Sequence, residues 1–550
     1  MSVPATALAP ALPAERSGRR HRLALVIMSL GVSLVVVDGT IAGVLTPRLV
    51  AELGLTTSGA EWVSSIYPMV FAALLIPLGR VGDLVGRRRA FAVGVAVFTA
   101  AGLLAALARD GATLIAARAL QGVGASMIMP ATLATMNAVF TGRRRAMAFG
   151  IWGALVGGMA ALGPLLGGAI ATALSWRWAF GVNVPLGLAL LAGALAVMPE
   201  TRQRGAAGID PPGTALAVPA LGALVFGLIE GPNYGWWEPV RPFTAGPYAW
   251  PGGLSPVPVA LSLGLVLLAA LVVVERVRAA AGRAVLLDPA LLQIASFRRG
   301  GLTAALISVG ELGLVFVLPL FLTGAHGTSP LHISLAIVPL ALGAFLAGPP
   351  AGRLAGRWGP HRVVRWGLAL EVAAVAMIGL TLTARTGGWG LAPWMLLYGV
   401  GLGLASAQLT SVCLAEVPAG RAGQASGMQS ALRQVGAALG IALIGAVFAT
   451  GLGRESAQRL ERTALPAERR AAVVHQLRES AGTHAHDLSR TPGAEAEAGA
   501  ARAALAAATR QAMWATAGIL ALGLLMSLRL RPVPASSPKE SDPMTAQTGE

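Results

Sequence analysis

The sequence predicts an all-α integral membrane protein with two six-helix bundles and two extra central helices. Three observations lead to this prediction. Of the 550 residues, 55% are hydrophobic and only 12% are charged, whereas a soluble protein usually has about 25% charged residues. Apolar runs long enough to cross about 30 Å of hydrocarbon recur along the chain. Arginines lie in short clusters between these runs, as in the cytoplasmic loops of membrane proteins.

Hydropathy predicts about fourteen membrane spans when the window is roughly 19 residues long. They cover residues 23–45, 62–79, 90–108, 113–139, 146–174, 179–198, 212–230, 257–275, 301–323, 332–351, 363–384, 390–414, 424–450 and 512–530. If the N-terminus is inside, most arginines fall on inside segments, so both chain ends are predicted to be cytoplasmic. Abundant arginine with almost no lysine indicates a bacterial protein. We therefore expect a multi-pass protein of a bacterial cytoplasmic membrane, with the lipid bilayer as its partner.

Three polar segments flank or interrupt the predicted spans. The N-terminal tail, residues 1–22, precedes an apolar run that is too long for a signal peptide, so this run is expected to be retained as the first helix. Residues 451–511 are rich in Ala, Glu and Arg, and predict one or two exposed amphipathic helices in an extracytoplasmic loop. The C-terminal tail, residues 531–550, has the composition of a disordered cytoplasmic segment.

One short stretch of the sequence occurs twice. "GRVGDLVGRRRAF" covers residues 79–91, and "GRLAGRWGPHRVV" covers residues 352–364 with Gly356 in the place of Asp83. The copies follow the second and the tenth predicted span, which suggests six spans, two extra spans and six more. The predicted units are residues 23–198, 199–299 and 300–530. Internal repeats are typical of transporters, in which two halves surround a site near the midplane of the bilayer.

Several motifs, taken in order, resemble those of the major facilitator superfamily, in its branch of fourteen-span drug:proton antiporters. The matching stretches are "DGTIAGVLTPRL" (38–49), "GRVGDLVGRRR" (79–89), "LIAARALQGVGASM" (114–127), "GPLLGG" (163–168), "SWRWAFGVNVPLG" (175–187), "GTSPL" (327–331) and "AGQASGMQSALRQVGAALG" (422–440). The chain departs from the family at Gly43 and Met159, where asparagine and glycine are usual. The resemblance covers residues 23–530. It implies a major facilitator fold and proton-coupled efflux of small hydrophobic or cationic compounds, such as drugs and antibiotics.

Two alternative functions stay open on the sequence alone. One is the export of a single endogenous metabolite or lipid, which would share every motif. The other is an integral-membrane enzyme, although the seven histidines are scattered and form no catalytic or metal-ligand set. No Walker A motif occurs, so we expect the proton gradient to drive transport without a cofactor or a metal. The expected partners are protons and a small-molecule substrate, with no nucleic acid, and the protein is expected to be a monomer.

Ionisable residues inside predicted spans are the first functional candidates, because charges are costly in a bilayer. Asp38 lies in span 1 and Arg118 in span 4. A buried carboxyl group must either pair or take a proton, whereas a buried arginine keeps its charge and needs a partner. The resemblance implies proton coupling for both residues, with Asp38 as the best partner of Arg118. The alternative is a polar contact that fixes helix packing.

Three further charged residues lie in predicted spans of the second half. Glu311 either contacts a cationic substrate or serves as a second proton site, or it forms an ion pair with Arg433. Both residues are therefore candidates for the substrate cavity. Glu371 lies nearer the inner end of its span, and the sequence favours a salt bridge at the membrane interface for it.

The first copy of the repeated stretch predicts a cytoplasmic gate. Gly79 and Gly86 allow a tight crossing of the chain, while Arg87 and Arg88 hold the loop inside by the charge rule. The resemblance implies that Asp83 meets a helix N-terminus or an arginine across the two halves. Because the second copy lacks this acid, we expect an asymmetric gate in which the N-terminal copy is the stronger one.

The antiporter motif of span 5 predicts close helix packing and a bend. Its candidate residues are Gly163, Pro164, Gly167 and Gly168. Glycines four residues apart let two helices approach closely, and the same spacing recurs at Gly436 and Gly440. Pro164 lacks a backbone donor and is expected to kink the span. Ordinary small-residue packing is the alternative interpretation.

The stretch "SWRW" and the residues that follow it predict the junction of spans 5 and 6. We expect Trp176 and Trp178 to anchor the outer membrane interface, where tryptophan is enriched. Asn183 is expected to have a structural role at the start of span 6.

Overall fold

A computed structural model describes residues 14–53, 55, 57–140, 142–201, 208–245, 248–251, 253–418, 421–463 and 465–530. The predicted disordered tail, residues 531–550, and residues 1–13 of the N-terminal tail lie outside the described residues.

The first half of the chain folds into helices that match predicted spans 1 to 6. They are α1 (Ala14–Leu53), α2 (Thr57–Val85), α3 (Arg87–Ala106), α4 (Gly111–Val139), α5 (Gly142–Ala173), α6 (Trp176–Gly181) and α7 (Asn183–Val197). The last two share span 6. Asp110 begins α4 because its side chain accepts the Thr113 backbone N–H at 2.8 Å. This hydrogen bond lowers the pKa of the exposed Asp110 carboxyl below its ordinary value.

A pair of helices, α8 (Pro211–Tyr234) and α9 (Pro256–Ala280), occupies the positions of the two extra spans. Between them lie the short antiparallel strands β1 (Thr244–Ala245) and β2 (Tyr248–Ala249). Both helices have proline in the first turn, where its missing N–H is not needed. The short helix α10 (Ala290–Gln293) then leads to the second half.

The second half repeats the architecture of the first. Its helices are α11 (Ala295–His326), α12 (Pro330–Trp358), α13 (Pro360–Thr381), α14 (Gly388–Cys413), α15 (Ala422–Leu460), α16 (Ala467–Glu479), α17 (His484–Leu488) and α18 (Glu495–Ser527). Six of them match predicted spans 9 to 14, and α16 and α17 lie in the loop between the last two. Several helices extend well past the predicted apolar runs.

The prediction of an all-helical membrane protein is confirmed. Within the described ranges, 12 helices are long and apolar enough to cross a membrane. Helices α5 and α18 occupy the two remaining predicted positions. The count of fourteen spans stays a prediction.

The two copies of the repeated stretch form equivalent turns. Gly86 joins α2 to α3 with a φ of 119°, and Gly359 joins α12 to α13 with a φ of 87°. Side chains rarely adopt such a backbone conformation, so glycine allows each pair of helices to be joined by a single residue. The two positions are equivalent in the alignment of the copies, so the sequence repeat is also a structural repeat.

Helix α5 lies between the halves, and glycines set its distance from the second half. A Cβ atom added to Gly153 would lie 2.6 Å from the Cβ atom of Ala407 in α14. One added to Gly158 would lie 2.5 Å from the ring of Phe345 in α12. Both contacts are too short for any side chain. Close packing of α5 against α12 and α14 therefore depends on these glycines.

Helix α8 contacts both halves. On one side, the rings of Phe226 in α8 and Trp62 in α2 stack with centroids 5.9 Å apart. On the other side, Leu228 forms a small apolar cluster with Ala438 and Ala442 of α15. The extra pair of helices is thus attached to the first half through α2 and to the second half through α15.

The segment between the last two long helices folds into a compact helical cap. Buried apolar side chains of α16 and α17, among them Val473, Leu477 and Leu488, pack against Leu460 at the end of α15. The opposite face of α16 is exposed. The expectation of amphipathic helices agrees with this arrangement, and the cap is anchored to the ends of α15 and α18.

Candidate functional site

A buried polar network lies at the centre of the first half. Asp38 of α1 forms an ion pair with Arg118 of α4, and both side chains are fully buried. Asp38 Oδ1 also accepts a hydrogen bond from Gln121 Nε2 at 2.9 Å and one from Asn183 Nδ2 at 2.6 Å. Three donors therefore surround this carboxylate, which satisfies a charge that would otherwise be very costly inside the bilayer.

The surroundings of Arg118 hold its guanidinium in place on several sides. Arg118 Nη1 donates to Gln121 Oε1 at 2.9 Å, and Nε donates to the Val63 carbonyl at 3.3 Å. The guanidinium also lies over the ring of Tyr67, 4.6 Å from its centroid. Tyr67 in turn donates to the Val35 carbonyl of α1 at 2.8 Å. Helices α1, α2 and α4 are thereby linked through one charged group.

The structure brings together Asp38 and Arg118, which the sequence singled out for coupling. It adds Gln121 and Asn183, which the sequence did not assign to this role. Gln121 stands one helical turn after Arg118, inside the span 4 motif. Asn183 was expected to shape only the start of span 6, but its side chain donates to Asp38. A polar amide inside an apolar span was the available signal for both residues.

A second charged group lies in the other half. Arg433 Nη2 of α15 is 3.6 Å from Glu311 Oε2 of α11, and both side chains are largely buried. Of the two possibilities for Glu311, the structure thus forms the ion pair. The separation is longer than a hydrogen bond, so this pair is looser than the one between Asp38 and Arg118.

Glu371 differs from the expectation of an interfacial salt bridge. Its side chain is fully buried in α13, and neither carboxyl oxygen has a hydrogen-bond partner among the described residues. The charged groups that act on Glu371 electrostatically are Glu311 and Arg433. The position of Glu371 along the span did not reveal that α14 covers it: a Cβ atom on Gly401 would lie 2.9 Å from Glu371 Cγ.

A small cavity of about 40 Å³ lies between the halves. Its lining includes Phe71, Met129 and Trp152 from the first half and Thr410, Gln429 and Arg433 from the second. Arg433 is the one charged residue among the described residues that line it. Neither Glu311, which pairs with Arg433, nor Asp38, which is held by its own donors, is among the described residues that line the cavity.

Asp83 connects the halves at the end that the arginine distribution predicts to be cytoplasmic. It is fully buried and accepts hydrogen bonds from Arg87 Nε and Nη2 at 3.0 and 2.8 Å. Its carboxylate also lies against the first turn of α15, because a Cβ atom on Gly423 would overlap it. A helix N-terminus attracts negative charge. We call this contact between Asp83 and α15 the latch.

Two other residues of the gate motif have different surroundings. A Cβ atom on Gly79 would lie 3.3 Å from the Gly423 carbonyl oxygen, so this glycine permits the close approach of α2 and α15. Arg88 lies 3.7 Å from Glu200, which follows α7, and this contact stays within the first half.

The second copy of the repeated stretch packs similarly but lacks the buried pair of Asp83 and Arg87. A Cβ atom on Gly352, the counterpart of Gly79, would lie 2.7 Å from Met147 Cα of α5. Gly356 stands in the place of Asp83, and Pro360 in the place of Arg87. The close contact between the halves therefore occurs twice, whereas the buried Asp83–Arg87 ion pair belongs to the first copy alone.

The antiporter motif packs α5 against α1. A Cβ atom on Gly163 would overlap Thr40, and one on Gly167 would overlap Ile41. The second half has the same arrangement, in which Gly436 and Gly440 of α15 face backbone carbonyls of α11. The expected close approach of helices is observed at these four positions.

Two residues of the same motif lie where less can be described. Pro164 and Gly168 belong to the continuous helix α5, and their surroundings lie outside the described part of the structure. The bend expected at Pro164 stays a prediction.

The two tryptophans of "SWRW" have different environments, contrary to the expectation that both anchor the membrane interface. Trp178 is exposed, but Trp176 is fully buried and its Nε1 donates to Glu52 Oε2 at 2.8 Å. Trp176 also packs edge-to-face on Phe180. It therefore joins α6 to the end of α1 inside the protein.

Comparison with known proteins agrees with this architecture. Residues 27–441 match the family described as the Major Facilitator Superfamily. The chain is 31% identical over 539 residues to a probable actinorhodin transporter of Streptomyces coelicolor, covering 90% of this chain and 89% of that protein. It is 35% identical over 430 residues to the puromycin resistance protein pur8 of Streptomyces alboniger, covering 77% and 81%.

Two further comparisons extend the range of relatives. The chain is 29% identical over 469 residues to the multidrug resistance protein Stp of Mycobacterium tuberculosis, with 85% of this chain and 83% of that protein covered. The crystal structure of the human organic anion transporter MFSD10 superposes with a TM-score of 0.55 at 17% identity, and covers 94% of this chain and 100% of that one. The second likeness concerns the fold alone.

Proposed function

Because the chain belongs to the major facilitator superfamily, we propose that it exports small, mostly hydrophobic drug-like compounds from a bacterial cell by proton-coupled alternating access. Relatives named for puromycin resistance and for multidrug resistance support export as the direction of transport. The relatives are named for resistance and transport, which favours a carrier over a membrane enzyme.

One observation carries this proposal: each half holds a buried pair of a carboxylate and an arginine, and a cavity lies between the halves. A carrier driven by protons needs a carboxyl group that can exchange a proton when its surroundings change. We assign this role to Asp38, whose three donors belong to two other helices. A small rotation of α4 or α7 relative to α1 would change how well its charge is stabilised.

The latch supplies the conformational part of the mechanism. Asp83 holds the first turn of α15, and Arg145 Nη2 of α5 donates to the Ser411 carbonyl of α14 at 3.1 Å. Both contacts join the halves at the predicted cytoplasmic end. We assign the structure to a state that is closed on the inside, with the chain ends in the cytoplasm. Opening this end would require both contacts to break.

The experiment measures accumulation of an antibiotic or dye in bacterial cells that express the protein. We expect expressing cells to accumulate less of the compound than cells that carry an empty vector, and the difference should vanish when an uncoupler dissipates the proton gradient. The matched control is Asp110→Asn, which changes an exposed carboxylate at the start of α4. Equal accumulation in expressing and empty-vector cells across a broad panel of compounds would contradict export. Efflux that persists with the uncoupler would contradict proton coupling.

A further inference from the structure

Glu371 is a buried acid that the proposed mechanism leaves unused. It lies in α13 of the second half, and its side chain is fully buried. Among the described residues, it is the one carboxyl group with both oxygens buried and without a hydrogen-bond partner. Asp38, by contrast, has three donors. An ionised carboxylate without donors is very costly in an apolar interior, so Glu371 holds a proton in this structure.

The crossing of α13 and α14 encloses Glu371. The two backbones meet directly beside it: a Cβ atom on Gly367 would lie 2.6 Å from the Gly401 carbonyl oxygen, and one on Gly401 would lie 2.9 Å from Glu371 Cγ. Even the protonated acid is costly here, because its hydroxyl group has no acceptor among the described residues. An apolar side chain of similar size would fill this space without a polar cost. Packing alone therefore does not explain an acid at this position.

Three ionisable groups from other helices act on Glu371 or respond to it. Glu311 of α11 and Arg433 of α15 act on it electrostatically. Glu371 in turn acts on Tyr398 of α14, whose hydroxyl group is buried without a hydrogen-bond partner among the described residues. The second half thus holds a buried cluster of two carboxyl groups, one guanidinium and one phenol.

The remaining neighbours of α13 add no ionisable side chain over their central parts. Helix α18 has none in residues 511–528, and α12 has none in residues 333–352. Within residues 366–381 of α13 itself, Glu371 is the one ionisable residue. The protonation of Glu371 therefore depends on the cluster with Glu311, Arg433 and Tyr398.

Two donors of this cluster are available to an ionised Glu371 after a change of conformation. The Tyr398 O–H has no acceptor among the described residues. Arg433 lies 3.6 Å from Glu311, which is longer than a hydrogen bond. A shift of α14 or α15 toward α13 would give the Glu371 carboxylate a donor and favour loss of its proton. The present arrangement thus favours the neutral acid, and a shifted one would favour the anion.

We propose that Glu371 is a second proton-binding site, which carries a proton through the transport cycle in addition to Asp38. This inference rests on the proposed proton-coupled export and adds a site in the other half. A proton from the outer side forms an O–H bond with a carboxylate oxygen of Glu371. That bond breaks when a donor reaches the carboxylate, and the proton leaves to the cytoplasm. No other bond changes, and Tyr398 and Arg433 act as positioning residues.

Infrared spectroscopy of the purified full-length protein in lipid nanodiscs, at neutral pH, detects the proton directly. A protonated carboxyl group gives a C=O stretching band that is separate from the amide bands. We expect this band in the difference spectrum between the wild type and Glu371→Gln. The control is Glu238→Gln, which changes an exposed carboxylate and should leave the band in place. If the Glu371→Gln difference spectrum lacks the band, Glu371 is ionised and the inference is wrong.

Transfer of the same nanodiscs into D2O separates a proton carrier from a static buried acid. The carboxyl group of a carrier becomes accessible whenever the protein changes conformation, and such changes take roughly microseconds to seconds. The Glu371 band should therefore shift within roughly minutes while the protein stays folded. A band that stays unshifted for many hours would mark a static acid and overturn the inference.

Efflux of ethidium and puromycin from expressing cells tests the role of the site in coupling. One proton fewer per cycle removes about 2.3 kcal/mol per 100 mV of driving force, which is roughly a fiftyfold smaller steady-state gradient of the compound. Glu371→Gln should show this loss, while downhill efflux, which needs no proton, continues. An unchanged gradient would overturn the inference, and so would a joint loss of uphill and downhill efflux, which marks a structural role.

The two kinds of measurement separate this inference from the proposed function. If wild-type cells extrude neither ethidium, puromycin nor any other compound of a broad panel, the export function fails. The infrared band and its exchange in D2O then decide whether Glu371 binds an exchangeable proton.

Discussion

Replacing Asp38 by asparagine tests whether its ion pair with Arg118 serves coupling or only packing. The substitution keeps the size of the side chain but removes the negative charge. Arg118 would remain fully buried and charged, with Gln121 and the backbone carbonyls of Val63 and residue 38 as its remaining acceptors. The perturbation is therefore one uncompensated cation in the core of the first half.

The expected magnitude follows from the burial of the pair. Breaking a fully buried ion pair by removing one partner costs about 3–5 kcal/mol. The three remaining acceptors and the Tyr67 ring place the expected loss near the lower end of this range, about 3 kcal/mol in the free energy of unfolding. That loss is roughly a hundredfold in the ratio of folded to unfolded protein. In the double variant Asp38→Asn with Arg118→Gln, no charge is stranded, so most of the lost stability should return.

The assay combines denaturant unfolding of the purified protein with uphill efflux from energised cells. If the pair couples transport to protons, the double variant recovers stability but not uphill efflux, because no proton-exchanging carboxyl group is left at this site. Recovery of both properties would show that the pair is a packing contact. A loss below about 0.5 kcal/mol in the single variant, as is usual for surface substitutions, would refute the argument from buried charge.

The latch and the glycine contacts give two further predictions. Asp83→Asn should remove about 1.5–3 kcal/mol of charge-assisted hydrogen bonding and open the predicted cytoplasmic end. N-ethylmaleimide should then alkylate the buried Cys413 at least about tenfold faster. An unchanged rate, equal to that of the control Asp110→Asn, would contradict the latch. Gly440→Ala should destabilise the fold by about 1–3 kcal/mol through overpacking, as measured by denaturant unfolding. Gly518→Ala, where a Cβ atom meets nothing within 4 Å, should leave the stability unchanged. Similar losses of stability at both positions would count against the packing argument.

Much of the fold could be predicted from the sequence because a bilayer imposes a simple rule on composition. A long apolar run must be a helix, since its backbone has no other partner in hydrocarbon. Because a charge is costly in hydrocarbon, Asp38 and Arg118 could be recognised as candidate partners, although 80 residues separate them.

The partners of individual buried side chains were harder to predict. Asn183 carries no charge and lies 145 residues from Asp38. An uncharged amide is a weaker signal than a charge in the bilayer, and it did not indicate Asp38 as the partner. Glu371 was misjudged because its height along a span does not reveal which neighbouring helix covers it. Trp176 was misjudged for a different reason: tryptophan suits both a membrane interface and a buried contact with a carboxylate.

Helix α8 has a mechanical consequence for a molecule whose halves move. It stacks on Trp62 of the first half and packs against Ala438 and Ala442 of the second. A rigid rotation of one half against the other must therefore shear at least one of these contacts. If the halves rotate against each other during transport, the extra helix pair would resist the movement through these two apolar contacts. It would thereby raise the energy barrier between the inward-open and outward-open states.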